Sequence, residues 1–552
     1  MTESKKDNLF NKHPVDKLLV IILSGAFILR ASGIFYGAAE GFHPDEGKYI
    51  LMALQYGKEG LNPHYFVNPS LFSYLLFTLY SIQYVIFFLL SIVQTPLEYL
   101  RYYLLHSDVF LVEARLLSVL AGTGTVYCVY RLGNQIGNKK IGYAGSILCT
   151  VSFIMVRESH FAVPDALATF LMTTSLVLYF NYLQGTHKSS FYLSGLILGL
   201  AVAAKYTVAL MFFPILLQMM FFPLNKDKKH YRTQEPFIYM SIIFLGFFIG
   251  CPYAFLSWRE LFSGLNELSF FSHHGWFGID YQFNSLSFYL DTLNWGIGLP
   301  ALVFLIASIP MALFIEKKIQ INMMAWFILA YLLFLSFSQL RFERFILPII
   351  PFSTVLISWM VFQLIEKYSR PKSYFLLIMG ILIIYTSLGS LYFDYLLHQK
   401  DTRTLAQEWI EENIPPGSKI ALDGYGPPIS LSNNKLFSLA GVNIQNKFKT
   451  MEMGRFGLAL HPLEFYRVNG YNYLITSSYT YGKFSGFGGL FDEEINQYSQ
   501  YDSKLKLIKT FVPIDNNSSL AYHNSWIQGP GKGLLEFDRP GPVIKIYQVI
   551  RE

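Results

Sequence analysis

Apolar runs of roughly 20 residues, the length a helix needs to cross about 30 Å of hydrocarbon, recur along this chain from Lys17 to about Leu397 and then stop. Lys17–Tyr36, Ala166–Leu183, Phe237–Phe255 and Ser373–Leu391 reach or approach that length. With 53% hydrophobic and only 14% charged residues among 552, the chain is too apolar and too long for one soluble core. It reads as a polytopic α-helical membrane protein. The basic N-terminus (Lys5, Lys6, Lys12, Lys17) followed by a long apolar run without a small-residue cleavage site reads as a signal anchor.

Basic residues cluster in alternate connections: the N-terminus, Arg131–Lys140, Gly185–Ser189, Lys226–Arg232, Lys317–Lys318 and Lys367–Lys372. Positively charged loops stay on the cytoplasmic side. The opposite set is then external: the loop carrying Asp45 and Glu46, Arg157–Pro164, Lys205–Tyr206, Trp258–Gln282 and Arg341–Arg344. This alternation requires about eleven spans, near residues 17–37, 111–131, 141–156, 164–183, 191–204, 206–222, 237–257, 291–315, 322–340, 344–365 and 373–396. Ser70–Thr95 is apolar enough to cross, yet a single crossing there would invert every later loop. It is therefore juxtamembrane or re-entrant, or pairs with Leu97–Val109 as two crossings, which raises the count to up to about 13.

The pattern from Asp401 onward is that of a soluble α/β domain. Asp401–Asn413 reads as a helix stopped by Pro415-Pro416-Gly417, and Lys419–Leu422, Tyr473–Thr476, Leu505–Val512 and Val543–Val549 read as strands. The expected division is 1–397 for the transmembrane domain, with a first external loop at 38–110, and 398–552 for an extracytoplasmic domain. The net charge of +6 is modest and nothing points to nucleic acid. Cys128, Cys149 and Cys251 lie in or beside apolar runs, where they serve as small packing residues.

Nearly every polar group with a chemical use falls in the external loops. Asp45 and Glu46 stand at the start of a helical stretch, Lys48–Gly57, so they are either first-turn caps or an exposed acid held by a capping neighbour. A carboxylate near apolar walls has a raised pKa, which suits a general base. Asp165 follows Pro164 at a helix start and is either a cap or a second acid toward a substrate or metal. Arg341 and Arg344 flank a re-entry into the bilayer, where they either snorkel or clamp a phosphate with planar guanidinium groups. Lys205 interrupts a long apolar run, where an unpaired ammonium is costly, so phosphate or Asp165 is its natural partner. His273 and His274 are the one adjacent histidine pair and the candidates, without zinc-type spacing, for a divalent metal.

These residues together resemble the GT-C membrane glycosyltransferases, in particular the family 39 relatives that include the dolichyl-phosphate-mannose protein mannosyltransferases and the bacterial aminoarabinose transferases. The resemblance is carried by His43-Pro-Asp-Glu46, Asn62-Pro-His-Tyr-Phe66 with Asn68-Pro-Ser-Leu71, Ala114-Arg-Leu-Leu-Ser-Val-Leu-Ala-Gly122, Ser159-His160 with Asp165, Arg344-Phe-Ile-Leu-Pro348 and Asp401-Thr-Arg-Thr-Leu-Ala-Gln-Glu-Trp409. It implies a GT-C fold and an inverting transfer of a sugar from a polyprenyl-phosphate carrier to a lipid, glycan or protein acceptor. Asp45 would be the base, with Glu46 beside it and Asp165 as second acid. Lys205, Arg341, Arg344, His160, His64 and Tyr65 would contact substrate or phosphate. The implied location is the plasma (inner) membrane, with a cytoplasmic N-terminus and an external C-terminal domain. The alternative is a transporter or flippase of lipid-linked glycans, which would carry charges and broken helices at mid-bilayer.

Overall fold

The computed structural model describes residues 16–221, 231–278, 284–429, 447–454, 456–486, 489–514 and 523–550. The N-terminal lysines before Asp16, Lys226–Lys229 and the end of the expected Trp258–Gln282 loop lie outside them. Helix α1 (Lys17–Ala31) precedes α2 (Glu46–Glu59), α3 (Leu71–Leu89), α4 (Pro96–Leu105) and the long α5 (Ser107–Ile136). Then come α6 (Lys139–Val151), α7 (Phe153–Ser159), α8 (Pro164–Leu183), α9 (Ser189–Ala204) and, past a 3-10 turn, α10 (Phe212–Phe221). The bundle is completed by α11 (Tyr231–Gly250), α12 (Tyr253–Leu256), α13 (Trp258–His274), α14 (Ser285–Ile297), α15 (Leu299–Pro310), α16 (Ile319–Ser336), α17 (Ile350–Lys367) and α18 (Lys372–Leu397).

Six described helices are long and apolar enough to cross a membrane, seven if α6 and α7 form one span bent by 60°. Several of the about eleven expected spans are therefore shorter helices. The expected span at 291–315 is divided where Gly298, at φ 89°, separates α14 from α15. The bend between α6 and α7 frees backbone carbonyls inside the bundle. Arg30 at the end of α1 satisfies two of them, donating to the Cys149 and Thr150 oxygens at 3.2 and 3.2 Å. Close helix contact elsewhere relies on small residues. A Cβ at Gly199 on α9 would collide with the Ile243 carbonyl of α11, and one at Gly246 with the Leu196 carbonyl, so these backbones touch directly.

Three of the connections rich in basic residues meet at one end. Gln135 donates to Asn181 at 2.7 Å and Lys318 to the Ile136 carbonyl at 2.9 Å, which ties the turns after α5, α8 and α15 together. The opposite end holds the start of α8 and the ends of α9 and α11, since Gly250 abuts Ala203 and Ser118 bonds to the Val163 carbonyl. The start and the middle of α3 belong to that second end. Leu71 packs beside Gly250, while Tyr80 donates to the Phe110 carbonyl at 2.9 Å and Gln83 to Glu113 at 2.7 Å, at the start of α5. Although long and apolar enough to cross, α3 meets the bundle at this end both at its start and at its middle. Its exposed Ile82, Val85, Ile86 and Leu89 leave it an apolar outer face.

Beyond α18, α19 (Thr402–Asn413) begins on Asp401, whose side chain accepts from the Arg403 N–H at 2.8 Å. It covers one face of a sheet made of β1 (Lys419–Leu422), β2 (Lys449–Glu452), β3 (Tyr473–Ser477), β4 (Lys506–Phe511) and β5 (Ile544–Gln548). The order is β2-β1-β3-β5-β4, with β1 parallel to both β2 and β3 and with β5 antiparallel to both β3 and β4. The strand β2 is absent from the sequence expectation. It is a mostly exposed edge strand with charged ends, and it exists because β1 pairs with it.

This domain is seated on the acid-bearing end of the bundle. Buried Arg157 donates to the Pro530 and Gly529 carbonyls at 3.0 and 3.3 Å, Tyr392 to the Phe537 carbonyl at 2.8 Å, and Tyr36 to Asp401 at 2.8 Å. Leu534 and Phe537 are buried with the helices rather than with the sheet.

Candidate active site

The first loop is set by a buried ion pair. Both oxygens of Glu46 accept from Arg115, at 2.7 and 2.7 Å, and one also accepts the Ala162 N–H at 2.7 Å. Arg115 in turn donates to the Ile34 and Tyr36 carbonyls at 2.7 and 2.7 Å. One pair thus joins the loop after α1, the start of α2, α5 and the approach to α8. Glu46 is inward and only 1% exposed, and burial is outweighed by Arg115 so that its carboxyl stays below its ordinary range.

With its neighbour pinned, Asp45 takes the N-cap position of α2 but makes no capping bond with its side chain. The carboxylate instead accepts from Arg344 Nη1 at 2.8 Å. Burial alone would raise its pKa. The charge and hydrogen bond of Arg344, with His43 and Lys48 nearby, bring it down to about 2. This reverses the raised value expected from sequence, because the apolar walls carry a guanidinium that the linear order hides. His43 stacks on Phe161 at 4.5 Å and is driven by burial to about 4, so it is neutral near pH 7.

Asp165 is the second residue of α8 and forms an ion pair with Lys205, the residue that ends α9. Lys205 also lies 4.4 Å from the centroid of the Phe345 ring, and Arg344 sits in the field of both Asp45 and Asp165. Alternating acid, guanidinium, acid and ammonium therefore line one cavity of about 210 Å³. Its walls include Lys48 of α2, Tyr65 and Asn68 of the loop after it, Glu267 of α13, Trp276 after α13, and Tyr425, Lys483 and Gln528 from the C-terminal domain. Lys48 stacks 3.6 Å over Tyr65, and burial lowers its pKa to about 8.

Asp45, Asp165, Lys205, Arg344 and Tyr65 are thus gathered, with Glu46 behind them as a brace. The other expected site residues are not walls of this cavity. His160 is buried between the Val156 carbonyl, at 2.8 Å, and Asp394, at 3.5 Å. His64 is exposed and 3.0 Å from Glu260. Arg341 is buried beside Tyr289. His273 and His274 are exposed and donate to the Ser269 and Phe270 carbonyls at 2.7 and 2.9 Å, one helical turn back. Among the described residues no three His, Cys, Asp or Glu side chains converge as a metal site would require. Lys48 could have been found from sequence, three residues after Asp45 on the same helix face. Tyr425, Lys483 and Gln528 had no such signal, because only domain docking brings them here.

Residues 102–255 match the family model described as dolichyl-phosphate-mannose-protein mannosyltransferase. No curated protein sequence matches the chain. The structure is similar to ArnT from Cupriavidus metallidurans bound to undecaprenyl phosphate, with a TM-score of 0.50, 12% identity and coverage of 97% of this chain and 98% of that one. It is also similar to the archaeal oligosaccharyltransferase AglB from Archaeoglobus fulgidus in complex with an inhibitory peptide and a dolichol-phosphate. There the TM-score is 0.50, the identity 12%, and the coverage 90% of this chain and 73% of that one. At such identity the likeness is one of fold.

Proposed function

We propose that this chain, a GT-C family 39-like glycosyltransferase, moves one sugar from a polyprenyl-phosphate carrier to an acceptor hydroxyl or amine at the external face of the membrane. The observation that carries the reading is the 2.8 Å pair of Asp45 with Arg344 in a cavity that also holds Asp165 and Lys205. A base and cations for a leaving phosphate stand in one place, as glycosyl transfer from a lipid phosphate needs. The solved structures of similar fold hold undecaprenyl phosphate or dolichol-phosphate, which supports a carrier of that class.

In the proposed step the acceptor oxygen or nitrogen attacks the anomeric carbon and its proton passes to the Asp45 carboxylate. The bond from that carbon to the phosphate oxygen breaks, and the electron pair leaves on polyprenyl phosphate. A single displacement inverts the anomeric centre. The resting Asp45 is a weak base because Arg344 is bound to it. Donor phosphate competes for Arg344, so carrier binding releases Asp45 and raises its basicity when the acceptor must be deprotonated. Asp165 holds Lys205 as the second cation at that phosphate.

In this reading residues 1–397 are the catalytic bundle of a plasma (inner) membrane protein with a cytoplasmic N-terminus, and 398–552 are its external domain. A transporter of lipid-linked glycans would carry its functional charges at mid-bilayer. The pairs described above lie together at one end of the bundle. The test is mass spectrometry of full-length protein incubated with a panel of polyprenyl-phosphate sugars and candidate acceptors. Release of polyprenyl phosphate by the wild type and not by Asp45→Asn is expected. Equal release by both would overturn the role of Asp45, and vesicle flux without covalent transfer would favour transport.

A further inference from the structure

A second cavity, of about 470 Å³, opens where the C-terminal domain meets the first loop. Its size falls within the about 300–1,000 Å³ of small-molecule sites. It lies at the carboxyl ends of the parallel strands β1 and β2, where Leu422 and Glu452 reach its wall. The carboxyl ends of parallel strands are where open α/β sheets bind ligands. The turn after β1 is held in shape. Tyr425 is a non-glycine residue at φ 58°, its carbonyl accepts from Ser477 Oγ at 3.0 Å, and the Gly424 carbonyl accepts from Thr480. A left-handed tyrosine clamped from two sides is a strained feature of the kind that clusters at ligand sites.

The cavity adjoins the one that holds Asp45. Pro44, Trp276, Phe277, Tyr425 and Lys483 line both. Aromatic faces are interleaved with charge: Lys483 Nζ lies 4.1 Å over Tyr425, Arg403 lies 3.7 Å over Phe42, and Glu40 and Glu452 complete the wall. Flat rings beside carboxylates and ammonium groups suit a pyranose, whose C–H faces stack on aromatic rings while its hydroxyls both donate and accept. A polyprenyl chain offers no hydrogen bond to a wall that carries Glu40, Glu452 and Lys483, and an anionic headgroup would meet Glu40 and Glu452 while Arg403 is already paired with Asp401. A peptide adding a strand would pair alongside β2, the last strand on its side of the described sheet, and so run along the sheet and not across its end.

We propose that this cavity is a saccharide subsite which holds the acceptor glycan and delivers its hydroxyl to Asp45. The acceptor role rests on the proposed transfer, whereas binding of saccharide is independent of it. The experiment is calorimetric titration of the full-length protein, in a detergent without a sugar headgroup, with mannose, glucose, galactose and N-acetylglucosamine disaccharides. Saturable binding of at least one disaccharide is expected. The Kd should rise by about tenfold in Glu452→Ala and in Glu40→Gln, as loss of a charged hydrogen bond predicts, and should be unchanged in Asp45→Asn. Glu452 is exposed, so its variant should fold normally. Binding of no disaccharide, affinity indifferent to both glutamates, or saturation only by a tetrapeptide or a short polyprenyl phosphate would overturn the subsite. Disaccharide binding without polyprenyl-phosphate release from any donor would leave the subsite standing and count against the transferase reading.

Discussion

The resting state of Asp45 is decided by a residue 299 positions away in sequence, Arg344 at 2.8 Å. Its depressed pKa means that Asp45 is ionised from about pH 3 upward, so it imposes no acid limb on kcat/KM across neutral pH. Removing Arg344 leaves burial as the dominant influence and moves the carboxyl up past its ordinary value of about 3.9. The pH–rate profile of Arg344→Gln should therefore show an acid limb displaced to higher pH, together with a lower plateau. Glu46 makes a different prediction. Its pair with Arg115 is 1% exposed at both ends, and removing one member of such a pair strands a buried charge at a cost of about 3–5 kcal/mol. Arg115→Met should lower the unfolding midpoint in detergent by a corresponding amount. The double variant Glu46→Gln, Arg115→Met should recover part of that loss, since no lone charge remains.

The most exacting element contact is that of α9 with α11, where glycines let two backbones meet. Gly199→Val would press a branched side chain against the Ile243 carbonyl and the Phe247 amide, groups that cannot swing aside. The expected loss is about 3 kcal/mol, read as a fall in thermal midpoint or in the monodisperse fraction after extraction. Gly25→Ala on α1 is the matched control. A Cβ there has nothing within 4 Å, so its effect should be within about 0.5 kcal/mol or slightly stabilising. The contrast would separate the close crossing from the general effect of replacing glycine in a helix. The helix α3 carries the same lesson: its composition satisfies the requirement for a span, and only its hydrogen bonds to Phe110 and Glu113 reveal that its middle meets the start of α5.

For the molecule as a whole, the C-terminal domain is part of the site, because Tyr425, Lys483 and Gln528 are walls of the Asp45 cavity. Arg157 is the fastening. It is fully buried, pairs with Glu158, and donates to two carbonyls of the segment that contains Gln528. In Arg157→Ala, amide hydrogen exchange across residues 526–534 should accelerate by about tenfold or more, the equivalent of at least about 1.4 kcal/mol of local opening. Exchange in β1 and β3 should be unaffected. Uniform acceleration across the chain would indicate global destabilisation in place of undocking.

Local order in the chain was enough to determine that long apolar helices form, that their basic turns alternate with acidic ones, and that an α/β unit follows Asp401. Those properties depend on composition and period within one segment, and on the cost of burying charge or backbone without partners. The prominence of Asp45, Asp165, Lys205 and Arg344 was legible for the same reason, since each is a charge placed where apolar surroundings make charge expensive. Tertiary structure alone decided which charges meet. It paired Arg344 with Asp45 and so lowered a pKa expected to rise, turned Glu46 inward onto Arg115, and kept His64, His160 and Arg341 out of the cavity walls. It also paired the exposed edge strand β2 with β1 and set the middle of α3 against the start of α5. These outcomes depend on contacts between residues far apart in the chain, which no periodicity or spacing within a segment encodes.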